Sequence, residues 1–245
     1  MKFASIIFIV FSFTISIRAF SQETNDFILR ANLKHENKDY LGAIEELNKA
    51  IEVDPLNKYA YVYRGDSKFE NNDIDGAIAD YSKAIEIDNR YAIAYYYRAN
   101  AKSKLEDYEG ALLDYNNLVK IVPLFSMAYN NRGITRAILK DYKGAISDFN
   151  RAIDIDKKFA RAYVNRGNAR IDVHDINNAI LDFNQAIIID PKLADAYHSR
   201  GYSKILLGQN QSGCMDLLKA KELGNVETHF LLKEFCKGFK PPRSY

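Results

Sequence analysis

The stretch SMAYNNRGITRAILKDYKGAISDFNRAIDIDKKF, residues 126–159, is followed directly by ARAYVNRGNARIDVHDINNAILDFNQAIIIDPKL, residues 160–193. The two stretches have the same length, and both carry an arginine at position 7 and a glycine at position 8. A small residue after an arginine recurs every 34 residues, at Ala31, Gly65, Ala99, Gly133, Gly167 and Gly201. A fixed period of this length without insertions predicts a tandem repeat in which each copy is one structural unit.

Six such repeats account for residues 22–227 of the 245-residue chain. Their bounds are 24–57, 58–91, 92–125, 126–159, 160–193 and 194–227. Position 4 is aromatic in every repeat and holds Phe27, Tyr61, Tyr95, Tyr129, Tyr163 and Tyr197. Position 20 is small and holds Ala43, Ala77, Ala111, Ala145, Ala179 and Gly213. Position 24 is large and apolar or aromatic and holds Leu47, Tyr81, Tyr115, Phe149, Phe183 and Leu217.

This spacing of aromatic and small residues resembles the tetratricopeptide repeat. The resemblance implies an all-α fold, an α-solenoid of antiparallel helix pairs that winds into a right-handed superhelix whose first helices line a concave groove. It also implies a scaffold that binds a protein or peptide and is not an enzyme. The sequence contains no phosphate-loop, nucleophile-elbow or paired-histidine metal motif, and its four histidines are scattered. We therefore expect no cofactor and no metal.

Each repeat is expected to form two helices, because its apolar residues follow helical spacing, as in Ala92–Leu105 and Tyr108–Ile121. In five repeats an aspartate precedes the second helix. These residues are Asp39, Asp73, Asp107, Asp141 and Asp175. An aspartate in this place accepts a hydrogen bond from the unpaired backbone N–H groups of the first turn, so we expect each one to cap its helix.

Two charged positions are as regular as the apolar ones. Position 7 holds Arg30, Arg64, Arg98, Arg132, Arg166 and Arg200. Position 23 holds Glu46, Asp80, Asp114, Asp148, Asp182 and Asp216. Both positions lie equally far from the turn near position 15, so an antiparallel helix pair places them opposite each other. We predict ion pairs within each repeat; the alternative is an arginine ladder that binds an anionic polymer.

The predicted groove contains candidate peptide-binding residues. Some members of the family hold a C-terminal carboxylate with Lys and Asn from one repeat, Asn from the next, and Lys and Arg from a third. Here Asn100, Asn131 and Arg161 match in type, whereas Tyr96 and Asn165 replace the first lysine and the last arginine. The two missing charges weigh against capture of a carboxylate. Together with Asn130, however, these asparagines make the groove polar and favour a peptide or an extended loop as the partner.

Four tyrosines form a second candidate surface in the groove. Tyr96 and Tyr97 follow the position-4 aromatic of their repeat, and Tyr59 and Tyr63 are near in the preceding repeat. These rings could anchor a side chain of a protein partner or pack between repeats. An alternative function is a carbohydrate- or cell-wall-binding module, in which the same rings stack against sugars.

The two cysteines, Cys214 and Cys236, lie at equal distances along the chain from Gly224-Asn225, where we expect the helix to end and the chain to turn. An antiparallel hairpin would bring them level, so we predict a disulfide that fastens a C-terminal capping helix, residues 228–237, to the last repeat. The alternative is that Cys214, at an apolar position of the repeat, is a buried free thiol. Residues 238–245 form a short basic tail, which we expect to be flexible.

Residues 1–21, MKFASIIFIVFSFTISIRAFS, have the lysine, apolar run and small-residue end of a secretory signal peptide. We expect cleavage after Ser21, no stable membrane insertion of the mature chain, and export to the periplasm or beyond, in a bacterium.

The whole chain has a net charge of +2, which is too small to give the strong basic field of a nucleic-acid-binding protein. We expect a monomer; end-to-end association of terminal repeats is the alternative.

Overall fold

The computed structural model of the protein describes residues 22–239. The predicted signal peptide and residues 240–245 of the predicted tail lie outside the described residues. Within residues 22–239 the chain forms thirteen α-helices and no strand. The helices are α1 (22–36), α2 (Tyr40–Val53), α3 (Lys58–Glu70), α4 (Ile74–Ile87), α5 (Ala92–Lys104), α6 (Tyr108–Ile121), α7 (Ser126–Ile138), α8 (Tyr142–Ile155), α9 (Ala160–Asp172), α10 (Ile176–Ile189), α11 (Ala194–Leu206), α12 (Asn210–Glu222) and α13 (Thr228–Phe235).

The chain divides between Ile121 and Val122 into two compact units, which we call the N-terminal half and the C-terminal half. In each half the helices pack as consecutive antiparallel pairs, and each pair packs against the next pair of the same half. The C-terminal half also contains α13, which packs against α12 and α11. The predicted all-α array of helix pairs is confirmed. None of the described helices is both long and apolar enough to span a bilayer.

Close contact within a pair depends on the small residue at position 8. Gly65, Gly133 and Gly167 lie directly against the position-24 rings of Tyr81, Phe149 and Phe183. A Cβ atom on any of these glycines would stand 2.5–2.7 Å from the ring. The rings themselves are at most 1% exposed. A larger residue at any of these three glycines would therefore force the two helices apart.

The predicted aspartate caps form in four repeats. Asp39, Asp73, Asp107 and Asp141 each accept a hydrogen bond of 3.0 Å from the backbone N–H of the glycine three residues later. The prediction is wrong for Asp175, whose carboxylate instead accepts from the Asn178 side chain at 2.9 and 3.0 Å. In the other four repeats a Cβ on that glycine would lie 2.0–2.2 Å from the carboxylate. Asn178 has a Cβ at this place, so the carboxylate is displaced.

The predicted ion pairs form in all six repeats. The arginine at position 7 contacts the acid at position 23 at 2.8 Å in the first repeat and at 2.6 Å in the other five. A second cation at position 11 contacts the same acid, a contact that the sequence analysis did not predict. The second cations are Lys34, Lys68, Lys102, Arg136, Arg170 and Lys204. The acid side chains are only 2–9% exposed, so their charge depends on these partners.

The arginine at position 7 also joins one repeat to the preceding one. Arg64 donates to the Asn48 side chain at 2.7 Å and Arg98 to the Ser82 hydroxyl at 2.9 Å, both in the N-terminal half. In the C-terminal half, Arg200 donates to Asn184 at 2.7 Å. The guanidinium carbon of each position-7 arginine also stands 4.6–5.7 Å from the centre of the position-4 ring. These arginines hold the fold together, which supports the ion-pair prediction over the anionic-polymer ladder.

We predict that Asp182→Asn lowers the free energy of unfolding by about 3–5 kcal/mol, because the amide leaves Arg166 and Arg170 without their shared carboxylate. The matched control is Asp154→Asn, which removes an exposed ion pair with Lys157 and should leave the free energy of unfolding nearly unchanged. Urea unfolding followed by circular dichroism measures both. Equal unfolding midpoints for the two variants would contradict a structural role of the buried carboxylate.

The structure joins Cys214 of α12 to Cys236, which follows the last residue of α13. The α13 helix has only eight residues, and Thr228 is its one buried residue, so few packing contacts hold it to the array. The Thr228 hydroxyl lies 3.0 Å from Nδ1 of His198 on α11. The disulfide therefore fastens a short helix that is too small to be stable by itself.

We predict that reduction of the disulfide lowers the free energy of unfolding of the last repeat and α13 by about 3 kcal/mol, the chain-entropy contribution of a loop of this length. Thermal melts with and without a reducing agent measure the effect, and the Cys214→Ala/Cys236→Ala variant is the control that should not respond. Identical melts of the wild-type chain under both conditions would mean that the bond contributes nothing to stability.

Candidate functional site

A cleft of about 320 Å³ runs across three first helices of the C-terminal half, α7, α9 and α11. We call it the polar cleft. Its lining residues are Asn130, Asn131, Ile134, Arg161, Val164, Asn165, Leu193 and Asp195. Four of the predicted groove residues are thus brought together, namely Asn130, Asn131, Arg161 and Asn165.

The three asparagines of the polar cleft form a hydrogen-bonded chain. The Asn165 amide donates to Oδ1 of Asn130 at 2.9 Å, and the Asn130 amide donates to Oδ1 of Asn131 at 3.2 Å. Asn130 is 6% exposed, so it fixes the orientation of the other two side chains. Within the described residues, Nδ2 of Asn131 and Oδ1 of Asn165 have no hydrogen-bond partner. The cleft therefore offers one oriented donor and one oriented acceptor.

Opposite charges stand on neighbouring helices of the polar cleft. Arg161 on α9 and Asp195 on α11 are both exposed and both occupy position 2 of their repeats. Asp195 accepts a hydrogen bond of 2.9 Å from the Asn225 side chain. Neither forms an ion pair with another residue in the described range 22–239. Both charges are available to a bound partner.

The remaining lining residues were missed by the sequence analysis. Ile134, Val164 and Leu193 give the cleft an apolar portion, and Asp195 adds the negative charge. The signal that could have found them is their register. They occupy positions 9, 5, 34 and 2, which neighbour the asparagine positions on the first helix.

The other predicted groove residues belong to the N-terminal half. Asn100 accepts a 2.6 Å hydrogen bond from the hydroxyl of Tyr115, the buried position-24 residue of its own repeat. Its carbonyl oxygen is therefore engaged in packing within the repeat. Binding of a partner through Asn100 remains a prediction.

The four predicted tyrosines differ in their surroundings. Tyr97 stacks on the buried ring of Tyr81 with centroids 5.7 Å apart, and Tyr96 meets Tyr97 edge-on at 5.6 Å. Tyr59 and Tyr63, one turn apart on α3, are 49% and 39% exposed. The Tyr59 ring meets Tyr91 edge-on at 5.5 Å, a contact that the sequence analysis did not predict. Tyr96 and Tyr97 thus contribute to packing, whereas Tyr59 and Tyr63 present ring surface to solvent.

Burial changes the acidity of the rings around this surface. Loss of solvent raises the pKa of Tyr91 to about 12, and burial also raises the pKa of Tyr97. A tyrosine is already protonated at neutral pH, and the raised pKa values keep both phenols protonated in more alkaline solution, where they can still act as hydrogen-bond donors and carry no charge.

The chemistry of the polar cleft is that of a binding surface. Amide groups, one guanidinium and one carboxylate surround an apolar portion, a combination that suits a polar chain with an occasional apolar side chain. Among residues 22–239, no group of three or more His, Cys, Asp or Glu side chains is arranged so that it could hold a metal ion.

The 34-residue period and the consecutive helix pairs define an α-solenoid. A family model described as TPR repeat matches residues 65–106, and two described as tetratricopeptide repeat match residues 96–160 and residues 27–55 and 160–193. Together these matches cover more than half of the chain. The chain belongs to the tetratricopeptide repeat (TPR) family.

Solved structures agree with this fold. YrrB, a TPR protein with an unusual peptide-binding site, is 22% identical with a TM-score of 0.64, and the alignment covers 77% of this chain and 97% of YrrB. A tetratricopeptide repeat protein from Parabacteroides merdae is 21% identical with a TM-score of 0.65, covering 88% and 98%. PilF of Pseudomonas aeruginosa is 15% identical with a TM-score of 0.74, covering 88% and 99%. At these identities the likeness shows a shared fold. No curated protein gives a significant match.

Proposed function

We propose that this protein is a non-enzymatic scaffold that binds a protein or peptide partner in the polar cleft. The observation that carries the proposal is the asparagine chain, which leaves an oriented donor on Asn131 and an oriented acceptor on Asn165 facing a cleft. A peptide group donates a hydrogen bond through its N–H and accepts one through its C=O, so it needs one acceptor and one donor on the protein. Asn165 and Asn131 supply these two groups whatever side chains the partner carries.

The size and lining of the cleft support a short extended segment as the bound element. A volume of about 320 Å³ is at the small end of the range for ligand sites, which is enough for a few residues. Ile134, which is 38% exposed, and Leu193 offer apolar contacts for one partner side chain, and Arg161 offers a charge-assisted hydrogen bond. YrrB, which shares the fold, has a peptide-binding site.

We further propose that the protein works outside the cytoplasm, as a monomer, in a bacterial envelope or in the secreted space. The signal-peptide pattern of residues 1–21 supports export. The Cys214–Cys236 bond fits the same location, because disulfides persist in oxidising compartments.

A carbohydrate-binding module is the second candidate. The observation in its favour is the pair of exposed rings, Tyr59 and Tyr63, one turn apart on α3. Aromatic faces of this kind can stack against sugar rings. The N-terminal half, not the polar cleft, would then carry the function.

We predict that Asn131→Ala/Asn165→Ala weakens binding of the natural partner by about 5- to 150-fold, because two hydrogen bonds of about 0.5–1.5 kcal/mol each are lost. The measurement is affinity capture from the native cell envelope by residues 22–245, followed by titration of the captured protein. The matched control is Asn89→Ala/Asn177→Ala, which changes two exposed asparagines outside the cleft.

Three outcomes separate the candidates. A protein captured by the wild-type chain and the control, but not by the cleft variant, supports the proposal. Equal capture by the cleft variant contradicts it. Capture of wall polymer alone, lost in a Tyr59→Ala/Tyr63→Ala variant, would identify the carbohydrate-binding module instead. Unchanged melting temperatures of all variants show that folding is intact.

A further inference from the structure

The polar cleft carries a cation and an anion at equivalent places on adjacent helices. Arg161 and Asp195 both stand at position 2 of their repeats, on α9 and α11, which pack directly against each other. Arg161 attracts a carboxylate, but Asp195 repels a carboxylate that approaches α11.

Asn225 holds the Asp195 carboxylate in place, and no cation among residues 22–239 forms an ion pair with it. Asn225, which holds the Asp195 carboxylate, also accepts hydrogen bonds from the backbone N–H of Thr228 at 3.0 Å and from its hydroxyl at 2.7 Å. The titratable groups nearby are His198 on α11 and Glu227, which precedes α13. Burial lowers the pKa of His198, so it is neutral at pH 7, and Glu227 has the same sign as Asp195. Neither neutralises Asp195.

The positive charge of Arg161 is equally available. A guanidinium is charged at any physiological pH, and this side chain is exposed on α9 without an acidic partner among the described residues. The arginines at position 7, such as Arg166, are paired with buried acids of their own repeats. Arg161 differs from them and can serve recognition.

We propose that the polar cleft selects an internal peptide segment that carries an acidic side chain for Arg161 and a basic side chain for Asp195, and that it disfavours a free C-terminal carboxylate. This inference rests on the proposed peptide-binding function. Packed helices lie about 8–10 Å apart, an extended chain advances about 3.3–3.6 Å per residue, and its successive side chains point to opposite faces. The two charged side chains of the partner that face the cleft are therefore two residues apart, a span of about 7 Å, and their length covers the remaining distance.

The probes are four pools of fluorescent decapeptides in which the other positions are random neutral residues. Three pools have blocked ends and contain Glu-x-Lys, Lys-x-Glu or Gln-x-Gln; the fourth contains Gln-x-Gln and a free C-terminal carboxylate. Fluorescence anisotropy with residues 22–245 measures affinity at low salt and at high salt. We expect one charged order to bind about tenfold more tightly than the neutral pool, from two exposed pairs, and the preference to vanish at high salt.

A charge exchange tests the assignment to these two residues. Arg161→Asp/Asp195→Arg should bind the opposite charged order more tightly, a gain of preference that a folding defect cannot produce. The matched control Asp154→Lys/Lys157→Asp exchanges an exposed ion pair away from the cleft and should keep the wild-type preference.

The remaining outcomes contradict the inference in different ways. Equal affinity for all pools, lost in Asn131→Ala/Asn165→Ala, would keep the proposed peptide-binding function and reject the charge selection. Tightest binding of the free-carboxylate pool would identify a terminal-carboxylate site instead. A charge preference that the exchange variant leaves unchanged would place recognition elsewhere. Binding of no pool would reject both the inference and peptide binding in this cleft.

Discussion

The arginine at position 7 is the contact on which each repeat depends. Arg64 shows its three roles: it bonds the buried Asp80 carboxylate, covers the Tyr61 ring and donates to Asn48 of the preceding repeat. Because the acid is almost fully buried, water cannot replace the guanidinium without leaving a charge in an apolar place. One side chain thus holds the two helices of a repeat together and also joins that repeat to the preceding one.

This division of labour explains where binding can occur. Positions 4, 7, 8, 11, 20, 23 and 24 are occupied by packing and ion pairs in the repeats. Positions 2, 5, 6 and 9 of the first helices differ between repeats, and the polar cleft is built from these positions and from Leu193 at position 34. Asn130, Asn131 and Asn165 come together because the first helices of successive repeats are held in line. The scaffold is periodic, whereas the site is specific to one group of repeats.

The periodic features were predictable from the sequence, and the local ones were not. The helix pairs, the close contact at Gly133 and the ion pairs follow from residues that recur at fixed spacing. The second cation at position 11 recurs as well, but one acid shared by two cations is not deducible from a hairpin alone. The cap at Asp175 failed because a single Cβ, on Asn178, takes the space of the carboxylate. Apolar lining residues such as Leu193 stand at register positions next to the asparagines, but an apolar side chain does not show from its type alone whether it lines a cleft or packs in the core.

The side-chain amide signals of Asn130, Asn131 and Asn165 in a proton–nitrogen correlation spectrum report most directly whether a partner occupies the polar cleft. Addition of the captured partner, or of the charged peptide pool that binds best, should shift these three signals and leave those of Asn89 and Asn177 in place. Shifts confined to residues outside the cleft, with the three cleft amides unmoved at saturation, would contradict the account of this protein as a scaffold that binds its partner there.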